Sequence, residues 1–159
     1  MDNYVQNLTF KETTISNYGA KVLYLGLKIS TFMNILFFSK VYMFSIILEN
    51  NYCEIFINLD KSFLTIQTFN INDQFMYNTT LFKMYDYSFL KLKHVWIYNS
   101  TFSSLILANE GNSIVLLNVS LKKVSFIKPY SIFLNKSNEF FAKSVFFYEV
   151  YNSKYLFVN

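Results

Sequence analysis

Apolar and polar side chains alternate with a period of two in several stretches of this chain. The clearest stretch is formed by Leu23, Leu25, Leu27 and Ile29, which alternate with Tyr24, Gly26, Lys28 and Ser30. Residues 54–60 alternate in nearly the same way. A period of two predicts β-strands, because successive side chains of a strand point to opposite faces. Phe, Tyr, Ile, Val and Thr, which favour strands, are common as well.

One short pattern occurs three times: a serine, three apolar residues, a variable residue and an asparagine. The copies are SIILEN at 45–50, SLILAN at 104–109 and SIVLLN at 113–118. Looser copies begin at Ser62, Ser88, Ser131, Ser144 and Ser153. The copies define steps of similar length from 62 to 88, from 104 to 131 and from 131 to 153. Such a repeat, with loops of variable length, predicts a solenoid, and we expect around six coils.

The period of two also predicts which side chains share a face. Leu116 and Asn118 fall on one face of the third copy, and Leu107 and Asn109 fall on the matching face of the second. We therefore expect Leu107, Leu116 and Leu134 to share one interior. Asparagine follows many of the apolar runs, so we expect stacked amides to hydrogen-bond along a column at the strand spacing of ~4.8 Å.

These features resemble the right-handed parallel β-helix of the pectin-lyase-like fold, in which each coil has three short strands and asparagine occupies turns. The resemblance is carried by the three hexamers and by the run SLILANEGNSIVLLNVSLKKVSFIKPYSIFLN, which resembles one coil passing into the next. It covers residues 88–159 and, with fewer matching features, residues 20–75. In composition and rhythm the chain is also similar to β-helical segments of very large surface proteins of AT-rich protists such as ciliates.

The resemblance implies chemistry that this chain does not reproduce. Family members that degrade pectin use clustered aspartates, or calcium-binding acids with Arg or Lys as the base. Here Asp2, Asp60, Asp73 and Asp86 are far apart in sequence, and arginine is absent. Asp60 and Asp86 are about one repeat apart, so stacked coils could bring them together as the carboxylate pair of a polysaccharide-active enzyme. We expect both to be turn residues instead, and we predict no enzymatic activity.

The predicted fold is therefore all-β, a right-handed parallel β-helix over residues 21–159, either complete or an incomplete fragment. Residues 1–20 are predicted to be a poorly defined N-terminal segment or cap. A β-sandwich-like fold is one alternative. Another is a β-rich chain with a transmembrane helix at 29–48, because about 20 mostly apolar residues can span a bilayer. Lys40 and Asn34 within that segment oppose insertion, and its continuing alternation favours strands.

Composition narrows the range of functions. The chain is 53% hydrophobic and 15% charged, which is typical of a folded domain. All 14 basic residues are lysines scattered along the chain, and we predict no nucleic-acid binding despite a net charge of +4. AT-rich codons account for the abundance of Phe, Tyr, Ile, Asn and Lys. Because Cys53 and His94 are the sole cysteine and histidine, we predict no metal site, no catalytic residues and no cofactor.

Five N-glycosylation sequons begin at Asn7, Asn78, Asn99, Asn118 and Asn135. The face assignment predicts that Asn118 points into a stacked turn and stays unmodified. The other four asparagines are candidate glycosylation sites.

Tyr85, Tyr87, Trp96 and Tyr98 are candidate ligand-facing aromatic residues, because exposed rings can stack on sugar rings. We predict a non-enzymatic structural or adhesion module of a larger surface or secreted protein that binds carbohydrate or other surface proteins. A membrane-anchored protein is the alternative. The predicted location is extracellular or at the cell surface. No signal peptide is predicted within this chain, because MDNYVQNLTF has an acid where a secretory signal carries positive charge.

Overall fold

The computed structural model describes residues 7–11, 14–16, 31–36, 39–49, 54–135, 138–151 and 155–158. These residues form strands joined by short turns and bends, and they contain no helix. The strands are β1 (Asn7–Lys11), β2 (Thr14–Ser16), β3 (Thr31–Leu36), β4 (Lys40–Glu49), β5 (Ile55–Asp60), β6 (Phe63–Asn72), β7 (Phe75–Met84), β8 (Phe89–Ala108), β9 (Ser113–Phe126), β10 (Tyr130–Leu134), β11 (Glu139–Tyr151) and β12 (Tyr155–Val158). Every pair among these strands is parallel, and the described strands stack as a parallel β-solenoid.

Each coil of the solenoid has three faces, named A, B and C here. Face A contains residues 40–44, 63–67, 89–93, 113–117 and 139–143. Face B contains residues 46–48, 69–72, 95–98, 119–122 and 145–148. Face C contains residues 31–36, 55–60, 80–84, 104–108, 132–134 and 155–158. Strand β8, with 20 residues, crosses all three faces in one coil.

Single residues in the left-handed backbone region form the corners between faces. Ser45, Thr68, His94, Asn118 and Ser144 stack at the A/B corner with φ between 53° and 64°. Asp73, Asn99, Lys123 and Glu149 form the B/C corner, and Lys61, Tyr87 and Gly111 form the C/A corner. One residue of this conformation bends a strand and interrupts its alternation, so a corner needs no long loop.

Inward side chains stack in columns along the solenoid. On face A the two columns are Val41, Leu64, Leu90 and Ile114, and Met43, Ile66, Leu92 and Leu116, all of them buried. Phe69 of face B lies between Phe56 and Phe82 of face C, with ring centroids 6.4 and 6.2 Å away. Faces B and C therefore contact each other across one continuous apolar interior.

The three hexamers do not stack on one another. Residues 46–48 lie on face B, residues 104–108 on face C and residues 113–117 on face A. Each hexamer therefore belongs to a different face. The pattern recurs because all three faces need apolar side chains at alternate positions, and not because the copies are successive layers of one stack.

The prediction that Leu107, Leu116 and Leu134 share one interior is wrong for Leu107. Leu116 and Leu134 are buried, but Leu107 is half-buried and pairs with Lys83 and Phe133 on the outer side of face C. The alignment of the hexamer at 104–109 with the hexamer at 113–118 is therefore one residue out of register with respect to the interior. Since side chains alternate between faces, such a shift exchanges inside for outside.

The prediction that Asn118 lies at a stacked turn is confirmed, but the prediction that it points into that turn is wrong. Asn118 is exposed at the A/B corner, and its side chain lies 3.4 Å from Nδ1 of His94. Amide contacts between coils occur within strands as well as at corners, because on face C Nδ2 of Asn58 donates to Oδ1 of Asn34 over 3.0 Å. Asparagine after an apolar run therefore does not always mark a turn.

The strand pairings confirm one of the predicted repeat steps and correct the other two. Phe89 pairs with Phe63, which confirms the predicted step from 62 to 88. The predicted step from 104 to 131 is slightly too long, because Ile106 pairs with Ile132. The predicted step from 131 to 153 is too short, because Ile132 pairs with Phe157. Face C has six stacked segments, in agreement with the expected number of coils, but several of the Ser-led segments lie in one coil, so they do not mark one coil each.

Both alternative folds are wrong for the described residues. The segment proposed as a helix at 29–48 contains β3 and all but the last residue of β4, and no described helix has the length and hydrophobicity needed to cross a membrane. A β-sandwich is excluded by the parallel pairing. β1 and β2, from the segment expected to be poorly defined, pair with β4. The alternation predicted at residues 23–30 and the position of Cys53 lie outside the described residues.

Candidate binding surfaces

A groove runs along the C/A corner across three successive coils. It has a volume of roughly 510 Å³ and is lined by Asp86, Tyr87, Glu110, Gly111, Ser113 and Glu139. Two of its carboxylates, Asp86 and Glu110, precede left-handed residues at equivalent positions of successive coils. An open groove of this size can hold part of a small ligand or a segment of a polymer.

Tyr87 is the most exposed large apolar side chain of the described residues, with 77% of its surface accessible. Its ring packs against Gly111 of the next coil. A Cβ atom at Gly111 would lie 3.1 Å from Cε1 and 3.2 Å from Cδ1 of that ring. Gly111 also has a φ of +70°, which glycine adopts at little cost. The glycine therefore gives the Tyr87 ring its place at the edge of the groove.

The polar lining of the groove consists mainly of hydrogen-bond acceptors. Asp86, Glu110 and Glu139 are exposed carboxylates, and Oγ of Ser113 donates to Oε2 of Glu139 over 2.9 Å. Carboxylates accept hydrogen bonds from hydroxyl groups, while the face of a tyrosine ring offers an apolar platform. The lining suits a ligand with several hydroxyl donors and one apolar ring face.

Face B presents a second surface, which differs from the groove in charge. Its outward residues in β6, β8, β9 and β11 alternate with buried ones and are Asn70, Asn72, Trp96, Tyr98, Ser120, Lys122, Phe146 and Tyr148. None of these eight is acidic. Lys122 lies 5.5 Å from the ring centroid of Tyr148, and Lys123 at the corner lies 5.9 Å from that of Tyr98. We call this set the aromatic face.

The structure separates the four aromatic residues predicted from the sequence into two pairs. Trp96 and Tyr98 lie on the aromatic face, whereas Tyr85 and Tyr87 lie at or beside the C/A corner. Tyr85 is half-buried, and the ammonium of Lys83 lies 4.9 Å from its ring centroid. The four residues therefore do not form one surface.

Sequence reasoning missed several residues of both surfaces. Glu110 and Glu139 were not singled out in the groove, nor were Phe146 and Tyr148 on the aromatic face. Glu110 follows Asp86 by one coil on this side of the solenoid, as Ser113 follows Phe89. A correct coil length would have identified it. Phe146 and Tyr148 could be placed on the aromatic face only with the register of β11 against β9.

The candidate glycosylation sites have different surroundings. Asn78 and Asn135 are exposed, and Asn78 lies in a bend of β7 where the register shifts. Asn99 is exposed as well, but its Nδ2 donates to Oδ1 of Asp73 over 2.6 Å. Asn7 lies in β1. Asn118, predicted to stay unmodified because it points into a stacked turn, is exposed, so its surroundings do not set it apart from the other exposed asparagines.

Candidate catalytic residues are arranged as follows. The backbone N–H of Lys61 donates to the carbonyl of Asp86 over 3.0 Å, so the turns of Asp60 and Asp86 are adjacent. His94 stacks on Trp96 with ring centroids 6.3 Å apart at the A/B corner. Among the described residues, no group of three or more His, Cys, Asp or Glu side chains is arranged to hold a metal ion.

The fold and these surfaces define the chain as a parallel β-solenoid protein. Comparison with protein-family models, curated proteins and solved structures finds no match in any of the three.

Proposed function

We propose that this chain is a non-enzymatic binding module of a larger surface or secreted protein, and that it binds carbohydrate in the C/A groove. One observation carries the proposal: Tyr87, 77% exposed, stands beside the carboxylates of Asp86, Glu110 and Glu139 in a single groove. A sugar ring stacks its apolar face on the tyrosine and donates its hydroxyl hydrogens to the carboxylates.

The solenoid architecture supports this role in a second way. Coils add along one axis and create long lateral surfaces, which are suited to contacts with extended partners. The relationship to pectin-lyase-like β-helices and to large surface proteins of AT-rich protists belongs to the same proposal. The parallel coils and the recurring Ser-led segments support this relationship. The extracellular or cell-surface location is proposed on the same basis.

Affinity for soluble and insoluble polysaccharides tests the proposal. Tyr87→Ala should weaken binding by roughly five- to tenfold, the range for loss of one aromatic contact. The matched control is Tyr77→Ala, which removes another exposed tyrosine from the bend of β7 and should leave binding unchanged. Equal losses from both variants, or no glycan binding by the unaltered protein, would contradict the proposal.

A polysaccharide-active enzyme is the second candidate, favoured by the adjacent turns of Asp60 and Asp86. Release of new reducing ends from a bound polysaccharide measures this activity. If the unaltered protein releases reducing ends and Asp60→Asn and Asp86→Asn abolish the release, the protein is an enzyme and not a non-enzymatic binding module. Binding without release of reducing ends supports the module.

A further inference from the structure

Charge is distributed unevenly around the solenoid. The C/A corner has the exposed carboxylates Asp86, Glu110 and Glu139. The aromatic face has Lys122 and, at its B/C corner, Lys123, both exposed. Lys93 and Lys143 stand at its other edge, as the last outward residues of face A. Lysines therefore flank the aromatic residues on both sides.

We propose that the aromatic face binds the surface of a bilayer containing anionic phospholipids. This is a second surface, independent of the glycan groove. Trp96, Tyr98, Phe146 and Tyr148, which are 39% to 65% exposed, enter the headgroup region, and the flanking lysines contact lipid phosphate and carboxylate groups. Aromatic side chains are enriched at membrane interfaces, where their rings are partly desolvated, and lysine extends its charge to the headgroups.

The spacing of the aromatic residues suits a flat partner. Trp96, Ser120 and Phe146 occupy one outward column, and Tyr98, Lys122 and Tyr148 occupy the next. Two coils separate the aromatic residues in each column, about 10 Å at the usual strand spacing. The four rings thus form the corners of a patch with small or cationic side chains between them, and the whole patch can contact a plane at once.

Charge complementarity favours an anionic membrane over a neutral one. Asp73 and Glu149 lie at the B/C corner and reduce the positive charge there, but Nδ2 of Asn99 donates to the Asp73 carboxylate. Each lysine near an anionic leaflet strengthens binding by about fivefold. The acidic groove lies at the corner between faces A and C, so repulsion from the same leaflet keeps it away from the bilayer. Bound in this orientation, the solenoid holds the groove toward solvent.

Trp96 is the only tryptophan of the chain, so its fluorescence reports on the aromatic face directly. We expect vesicles of phosphatidylcholine and phosphatidylserine to shift its emission to the blue and to protect it from acrylamide quenching. Vesicles of phosphatidylcholine alone should do neither. Raising the salt from about 0.1 M to about 1 M shortens the Debye length from roughly 10 Å to 3 Å and should release the protein.

A pair of double variants tests the role of the lysines. Lys122→Gln with Lys123→Gln should weaken partitioning to the anionic vesicles by roughly 25-fold, from two contributions of about fivefold. The matched control is Lys83→Gln with Lys128→Gln. It removes the same charge, and each of these lysines also lies over a tyrosine ring, Tyr85 or Tyr130. The control should lose less than about threefold, since its lysines lie away from the aromatic face.

Three results would overturn the proposal. The first is co-sedimentation with anionic vesicles without any change in Trp96 emission, which would place contact elsewhere. The second is an equal loss of partitioning in the two double variants. The third is no binding to anionic vesicles together with tight binding to soluble dextran sulfate, which would assign the face to a polyanionic glycan. Salt release and quenching use the unaltered protein, so they decide the question even if a variant fails to fold.

Discussion

Oδ1 of Asn112 accepts a hydrogen bond from the backbone N–H of Ser88, one coil earlier, over 2.9 Å. The contact repeats along the C/A corner. The N–H of Ser62 donates to Oγ of Ser88, and the N–H of Asn112 donates to Oδ1 of Asn138 over 2.8 Å. A short polar side chain in each coil thus satisfies a backbone donor of the preceding coil. This is how buried corner groups remain paired without a loop.

Replacing Asn112 with alanine should be costly, because Asn112 is fully buried and its side chain joins two coils. The Ser88 N–H would lose its acceptor, and the carbonyls of Asn109 and Glu110 would lose the donor Nδ2. We expect the free energy of unfolding to fall by about 2–3 kcal/mol, measured by urea denaturation followed by circular dichroism.

Asn112→Ser is the control for this substitution. Serine occupies the equivalent position one coil earlier, where Oγ of Ser88 accepts from the N–H of Ser62 over 3.4 Å. The serine variant should therefore lose roughly half as much stability as the alanine variant. If both variants lost the same amount, the contact between coils would not be the source of the stability.

The strands could be predicted from the sequence because they depend on alternation alone, and their parallel stacking followed from the repeated segments and from the resemblance to parallel β-helices. The register of each coil against the next could not be predicted. The left-handed corner positions hold Ser, Thr, His and Asn at one corner and Asp, Asn, Lys and Glu at another, so no single residue type marks a corner. The groove was missed for the same reason. Glu110 can be placed one coil after Asp86 only if the coil length is known, and the pairing of β8 with β9 gives that length.

Thr68 is the least suitable residue of the A/B corner column. It is β-branched and has a φ of 64°, a conformation that β-branched side chains rarely adopt. Asn118 occupies the same column two coils later, and asparagine tolerates this region far better. Thr68→Asn should therefore raise the free energy of unfolding by about 0.5–1 kcal/mol, measured by chemical denaturation.

The reverse substitution, Asn118→Thr, provides the check. It places a β-branched residue at an equivalent corner and should lower the free energy of unfolding by a similar amount, about 0.5–1 kcal/mol. If Thr68→Asn were destabilising while Asn118→Thr was neutral, side-chain contacts of Thr68 would outweigh its backbone strain. Backbone conformation at this corner would then not limit the stability of the protein.

Phe69 joins faces B and C through its contacts with Phe56 and Phe82. Because its side chain is fully buried, Phe69→Ala should lower the free energy of unfolding by about 3–5 kcal/mol. Phe146→Ala, on the aromatic face, should change it by less than about 0.5 kcal/mol. Both values come from the same denaturation experiment. A large loss in Phe146→Ala would mean that this ring stabilises the fold, and its exposure would no longer indicate a binding role.

Gly111→Ala tests whether the position of Tyr87, and not merely its presence, makes the groove a binding site. The added Cβ would lie 3.1 Å from Cε1 of Tyr87, so the ring must move from its place. With φ at +70°, alanine also costs about 1 kcal/mol of stability, which leaves the solenoid folded. Glycan affinity should fall, but less far than in Tyr87→Ala, because the ring needs to shift by only a few tenths of an ångström. The double variant Gly111→Ala with Tyr87→Ala should fall no further than Tyr87→Ala alone, because both changes act on the same platform. Additive losses in the double variant would show that the two residues act separately, and the groove would need a different explanation.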